Sequence, residues 1–196
     1  MLTLFPSKPV SESVFATHFW WCFDRLTATQ TPDVGMPPYF YFLTLLALRI
    51  FDAARVDVAV FEVGLGGRLD ATNIVPAPAV CGITALGFDH MDVLGHTLAL
   101  IAGEKAGILK AGVPAVTVEQ QDEARLVVEG VASKLGVQLH VATPLPANVP
   151  LGLAGVHQRQ NAGLAVQLCR LWANRARPHC PSTSTHEAVR LVFQIY

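Results

Sequence analysis

The spacing of apolar positions changes partway along the chain. In the first fifty residues it is helical. Val14, Phe15, Phe19 and Phe23 recur near helical spacing after Val10-Ser11-Glu12, where Ser11 can cap the exposed amides of a helix. Met36-Pro37-Pro38 interrupts this segment, and the run Tyr39–Phe51 predicts a second apolar helix with proline tolerated just before it. From Val56 onward, short apolar runs alternate with amphipathic stretches. Residues 56–62 (V-D-V-A-V-F-E), 79–86 (A-V-C-G-I-T-A-L), Pro114–Val118 and Gln138–Val141 predict four strands. Between them, a helix capped by Thr97 stops near Gly107, and another over Asp122–Leu135 is ended by Gly136. A last helix, His157 to Trp172, sets Leu164, Leu168, Leu171 and Trp172 on one side.

Strands alternating with helices at this spacing predict an α/β fold: an open, mostly parallel sheet flanked by helices. Ligands of such sheets sit beyond the carboxyl ends of the strands. Residues 1–174 are expected to form this domain. The stretch 175–196, opening R-A-R-P-H-C-P-S-T-S-T, reads as a divergent tail or linker.

Composition agrees with that picture. An apolar fraction of 52% with only 15% charged residues suits strands buried on both faces. A net charge of -1 gives no case for nucleic acid or an anionic membrane. The four cysteines, Cys22, Cys81, Cys169 and Cys180, include no C-x-x-C pair, so they are expected to be buried free thiols. The run Tyr39–Phe51 is too short to span a bilayer and contains Arg49, and no secretory signal opens the chain.

Polar clusters fall where such a fold would place a site. Glu62 closes an apolar strand and is followed by G-L-G-G-R-L-D-A-T-N, residues 64–73. A tight turn explains the glycines but not the carboxylate, which needs a partner if buried. A dinucleotide-binding oxidoreductase is a second reading. It meets Leu69 where the third glycine of G-x-G-x-x-G belongs, and L-D-A-T-N-I-V-P reads as loop instead of helix. Asp89, His90 and Asp92 follow the next strand. A carboxylate and an imidazole can share a divalent ion, with waters completing its shell. Lys105 follows A-L-I-A between the small residues Gly103 and Ala106, which permit close approach by another element. His157 and Asn161, four apart, share a face at a helix start, where routine capping and binding of an anion or a base edge both remain open.

Taken together, M-P-P-Y-F-Y-F-L-T-L, E-V-G-L-G-G-R-L-D-A-T-N, G-F-D-H-M-D-V-L-G, G-E-K-A-G-I and G-V-H-Q-R-Q-N-A resemble folylpolyglutamate synthase, of the Mur ligase superfamily, from about Lys8 to Trp172. The resemblance implies a Mur-ligase-type central ATPase domain, here incomplete, and an enzyme joining L-glutamate to a reduced folate through an acyl phosphate made from ATP. It implies Glu62 and His90 as Mg²⁺ ligands and Lys105 as a lysine that is carbamylated in bacterial relatives. Pro38, Tyr39, Leu69, Asp70 and Ala71 would line the pteridine pocket, and Asn161 with His157 would meet the adenine side of ATP. It further implies a monomeric full-length enzyme, cytoplasmic or mitochondrial, without nucleic-acid or membrane partners. No stretch here fits G-x-x-x-x-G-K-[ST]. The chain is therefore expected to be the middle of such an enzyme and to ligate nothing alone, with a non-catalytic remnant that binds or regulates the full-length synthase as the alternative.

Overall fold

The computed structural model describes residues 3–4, 8–176 and 192–195. The chain divides into two compact units, Met1–Asp57 and Val58–Tyr196.

In the first unit, two short antiparallel strands, β1 (Thr3–Leu4) and β2 (Lys8–Pro9), precede two helices, α1 (Glu12–Ala28) and α2 (Tyr39–Ala54). Ser11 caps α1 as its sequence predicts, its hydroxyl accepting from the Val14 amide at 3.4 Å. The helical spacing of Phe15, Phe19, Cys22 and Leu26 turns one stripe of α1 toward Phe42, Leu46 and Ile50 of α2. Phe19 and Phe42 meet edge to face, centroids 5.1 Å apart. The helix α2 continues three residues past Phe51 and ends at Arg55, which takes a left-handed conformation (φ 49°).

The second unit is a five-stranded parallel sheet, ordered β3 (Ala59–Glu62), β7 (Val192–Ile195), β4 (Val80–Ile83), β5 (Ala115–Thr117) and β6 (Leu139–Val141). The helices are α3 (Met91–Leu94), α4 (Leu98–Ala106), α5 (Asp122–Leu135) and α6 (Gln158–Ala176). Alternation along β4 and β5 divides the core. Cys81, Ile83 and Ala115 pack with Leu98, Ala102, Ala106, Val128 and Ala132 of α4 and α5. Val80 and Val116 pack with Leu164 and Leu168 of α6 on the other face. At the N-terminus of α4, Thr97 caps the Leu100 amide and the Glu123 carboxylate of α5 accepts from the Ala99 amide at 3.1 Å.

Three expectations need correction. The strands of residues 56–62 and 79–86 pair only over Ala59–Glu62 and Val80–Ile83. Strand β7 lies between them and makes parallel ladders with both. That strand comes from the stretch read as linker, and residues 177–191 and 196 of that stretch lie outside the described residues. Of the cysteines expected to be buried, Cys22 and Cys81 are, but Cys169 is exposed on α6. The Cys81 thiol, bonded to the Ile108 carbonyl at 3.3 Å, has its pKa pushed up to about 12 by burial. Cys180 lies outside the described residues.

Gly163 shows how closely α6 is seated. A Cβ there would collide with the backbone carbonyl oxygen of Thr143, just past β6. Helix propensity alone favours alanine over glycine by about 0.5–1 kcal/mol. Overpacking against an immovable carbonyl costs about 1–3 kcal/mol. Gly163→Ala is therefore expected to lower stability to urea denaturation, and a gain in stability would show that the contact yields.

Candidate functional site

The carboxyl ends of β3 and β4 carry the polar sequences. Glu62 ends β3 with its side chain exposed, and residues 64–73 follow as a turn closed by a single 3₁₀ segment, Ala71–Ile74. Asp70 organises this turn. Its Oδ2 accepts from the Gly64 and Leu65 amides at 3.1 and 2.9 Å, and its Oδ1 from the Thr72 amide and hydroxyl at 2.9 and 2.6 Å. The loop thus folds around its own anion, an arrangement that takes up the amides a bound phosphate would need. With a 3₁₀ turn instead of a helix after the glycines, this removes the geometric basis for a dinucleotide-binding oxidoreductase.

The turn is fastened to the end of α4. Arg68 reaches Glu104 at 2.8 Å, and the Arg68 amide donates to the Glu104 carbonyl at 2.8 Å. Asn73 donates to the carbonyls of Arg68 and Gly107 at 2.9 and 3.2 Å. The close approach predicted around Lys105 is made by Gly67 and Gly107. A Cβ on Gly67 would stand 2.8 Å from the Glu104 carbonyl oxygen, and one on Gly107 would overlap Arg68. At Gly103, expected to serve this purpose, an added Cβ would meet only Val127, at 4.0 Å. Arg68, Glu104 and Asn73 went unassigned on sequence grounds. An Asp two residues before Thr is an Asx-turn signal that could have identified the role of Asp70, but nothing in the spacing ties Arg68 to Glu104.

Lys105 is 1% exposed in the last turn of α4. Burial lowers its pKa to about 8, while the carboxylate of Asp89 acts in the opposite sense. Asp89 accepts from the His90 amide at 2.8 Å and lies 3.6 Å from the His90 ring. His90 is left-handed (φ 49°) where it starts α3, and its side chain is exposed. Among the described residues no group of three or more His, Cys, Asp or Glu is arranged to hold a metal. Mg²⁺ commonly takes one or two protein donors and completes its shell with water and phosphate. The accessible carboxylate of Glu62 is a donor of that kind, and the exposed imidazole of His90 follows a strand on the other side of β7.

Leu69 is 69% exposed beside the buried Ala71. His157 is exposed one residue before α6, its carbonyl accepting from the Asn161 amide at 3.1 Å, and the Asn161 side chain meets Gln158 at 3.3 Å. Arg159, between them, donates to the carbonyls of Pro146, Ala147 and Val149 and so fixes the proline-rich connector. Pro38 and Tyr39 belong to the first unit, where Pro38 precedes α2 and Tyr39 opens it, 79% exposed. Among the described residues no helix is long and apolar enough to cross a membrane.

No family model matches the chain. It is 55% identical over 167 residues to folylpolyglutamate synthase of Arabidopsis thaliana, covering 83% of this chain and 29% of that protein. It is 44% identical over 179 residues to the mitochondrial folylpolyglutamate synthase of Homo sapiens, covering 88% and 30%. A solved FPGS-AMPPCP-folate complex superposes with a TM-score of 0.78 at 28% identity, over 87% of this chain and 47% of that one. The open parallel sheet with helices on both faces is the α/β domain of Mur-type ligases. Within that class, the chain belongs to the folylpolyglutamate synthase family. It spans about 30% of the length of these curated relatives.

Two measurements probe this geometry. Asp70→Asn replaces one acceptor oxygen by a donor facing backbone amides, so stability is expected to fall by about 1–3 kcal/mol. Amide exchange at Gly64 and Leu65 should accelerate, and unchanged protection there would refute the internal-anion account. For Lys105, the ammonium titrates near 10.5 when unfolded and about 8 when folded. Between these values the unfolded chain binds more protons, so stability rises with pH across that window, and the full cost of burial applies below it. Lys105→Met should raise stability at pH 7 by on the order of 3 kcal/mol and flatten the rise between pH 8 and 10. The Cys81 thiol acts in the opposite sense above pH 9, so urea titrations of variant and parent are compared at each pH.

Proposed function

We propose that this chain supplies the metal-side and folate-side residues of an ATP-dependent ligase that adds L-glutamate to reduced folates. One observation carries the reading. In a chain 55% identical to a folylpolyglutamate synthase, Glu62 ends one parallel strand, Asp89-His90 follow the end of another, and a buried Lys105 feels the Asp89 charge. AMPPCP and folate in the related complex support ATP and folate as the ligands. The name of the human relative supports a mitochondrial location, with a cytoplasmic one as its alternative.

In this reading Glu62 and His90 would hold Mg²⁺, which would supply positive charge beside the phosphate oxygens; the γ-phosphoryl group of ATP passes to the folate γ-carboxylate. The amine of glutamate then displaces phosphate and forms the amide. Burial keeps a usable fraction of Lys105 neutral near physiological pH. Its amine can therefore attack CO₂, form an N–C bond and release a proton to water, leaving a carboxylate where an ammonium stood. Asp70 shapes the turn that presents Leu69 and Ala71 to the pteridine ring. Asn161, steadied by Gln158 and next to His157, meets the adenine side of ATP at the start of α6.

The test places residues 8–172 of this chain in the corresponding segment of the full-length Arabidopsis thaliana relative, which supplies the remaining parts. With ATP, Mg²⁺, tetrahydrofolate and labelled glutamate, the chimera is expected to form labelled folyl-diglutamate. Glu62→Ala should lower kcat by about 10²–10³, the usual effect of losing one preorganised charge-stabilising group. Lys105→Ala should abolish turnover, and added bicarbonate should not restore it. Full activity of either variant would remove that residue from the mechanism.

A further inference from the structure

Past Ile83 the chain leaves the β4–β5 ladder, whose last bond runs from the Val118 amide to the Ile83 carbonyl at 3.3 Å. The segment that follows, Thr84 to His90, carries both Asp89 and His90. Gln120, just beyond β5, takes the place of a strand beside its first residues. Its Oε1 accepts from the Leu86 amide at 2.9 Å, and its Nε2 donates to the Thr84 carbonyl at 2.7 Å. One side-chain amide thus satisfies a donor and an acceptor two residues apart, as the backbone of a paired strand would. Nε2 also donates to the Thr117 hydroxyl at 3.1 Å, and that hydroxyl faces the carbonyls of Ile83 and Val118, each at 3.2 Å. Gln120 is buried, and Leu86 is anchored in the core with α4 and α5. A buried amide is costly unless bonded, and leucine or methionine would fill the same space. What only an amide provides here is simultaneous donation and acceptance.

We infer that Gln120 is a positioning residue: it fixes the path of Thr84–His90 beyond the end of β4 and thereby the placement of Asp89 and His90. The catalytic consequence rests on the metal reading above, whereas the positioning itself does not.

The experiment uses the whole 196-residue chain as parent, Gln120→Met, Gln120→Glu and His90→Ala. Amide hydrogen exchange is followed by mass spectrometry, and Mn²⁺ binding by electron paramagnetic resonance. Gln120→Met is expected to raise exchange across residues 84–94 by tenfold or more, leaving the amides of β4 and β5 unchanged. It should also weaken Mn²⁺ by about tenfold, comparable with the lower end of what losing a residue that orients a ligand costs. Gln120→Glu keeps an acceptor for the Leu86 amide but turns a carboxylate oxygen toward the Thr84 carbonyl, so its loosening should be at least as large, and it decides the matter if Gln120→Met does not fold. Unchanged exchange at Leu86, or a rise spread evenly over the sheet, would overturn the proposal. So would a loosened segment with parent-like Mn²⁺ affinity when His90→Ala weakens binding. If His90→Ala has no effect on Mn²⁺, the metal reading fails, and the exchange pattern alone decides whether Gln120 positions Asp89.

Discussion

A strand inside a parallel sheet has no solvated face, and the rest of the second unit follows from that constraint. Every side chain of β4 must find an apolar partner on its own side. Odd positions meet α4 and α5, and even positions meet α6. Gly82 shows how little room remains: a Cβ there would stand 2.9 Å from Leu168. With both faces committed to helices, polar chemistry is confined to the strand ends. Glu62 lies at one such end, and the segment holding Asp89 and His90 leaves another.

The charges at those ends are held by different means. Asp70 is surrounded by donors from its own turn, so its charge contributes to shape and the glycine loop needs no external anion. Lys105 is placed in low dielectric, which lowers its pKa to about 8, with Asp89 pulling it back toward the ammonium. Arg68 and Glu104, both near solvent, tie the turn to α4 while adding little stability by charge alone. The backbone bond from Arg68 to Glu104 and the fit of Gly67 and Gly107 do more to fix that register.

Much of the helical and sheet pattern was legible because burial leaves a period. The limits of α4 and α5 agree with Thr97, Gly107 and Gly136, residues whose capping chemistry is local. Strand ends were less legible. Thr84–Leu86 has strand composition but no strand beside it among the described residues, and Gln120 is an ordinary polar residue until the fold brings it there. The place of β7 was not legible at all, since four residues in a polar tail carry almost no periodic signal and only the space between β3 and β4 selects them. Within the candidate site, Glu62, His90 and Lys105 drew notice through strand-end position and unusual neighbours. The roles of Asp70, Arg68 and Gln120 depend on hydrogen bonds that spacing does not encode.

The strand order also has a consequence in time. The residues that separate β3 from β4 in space are made about 110 residues after β4, a delay of roughly 5 to 20 seconds at ordinary rates of synthesis. Until then two strands with apolar sequences hold unmatched edges, while β5 and β6 can already pair beyond them. Such late, non-local closure favours slow folding and gives foreign strands an interval in which to compete. The nascent chain would benefit from a chaperone through that interval, and its yield in a cell depends on the kinetics of one four-residue insertion as well as on the packing of the finished core.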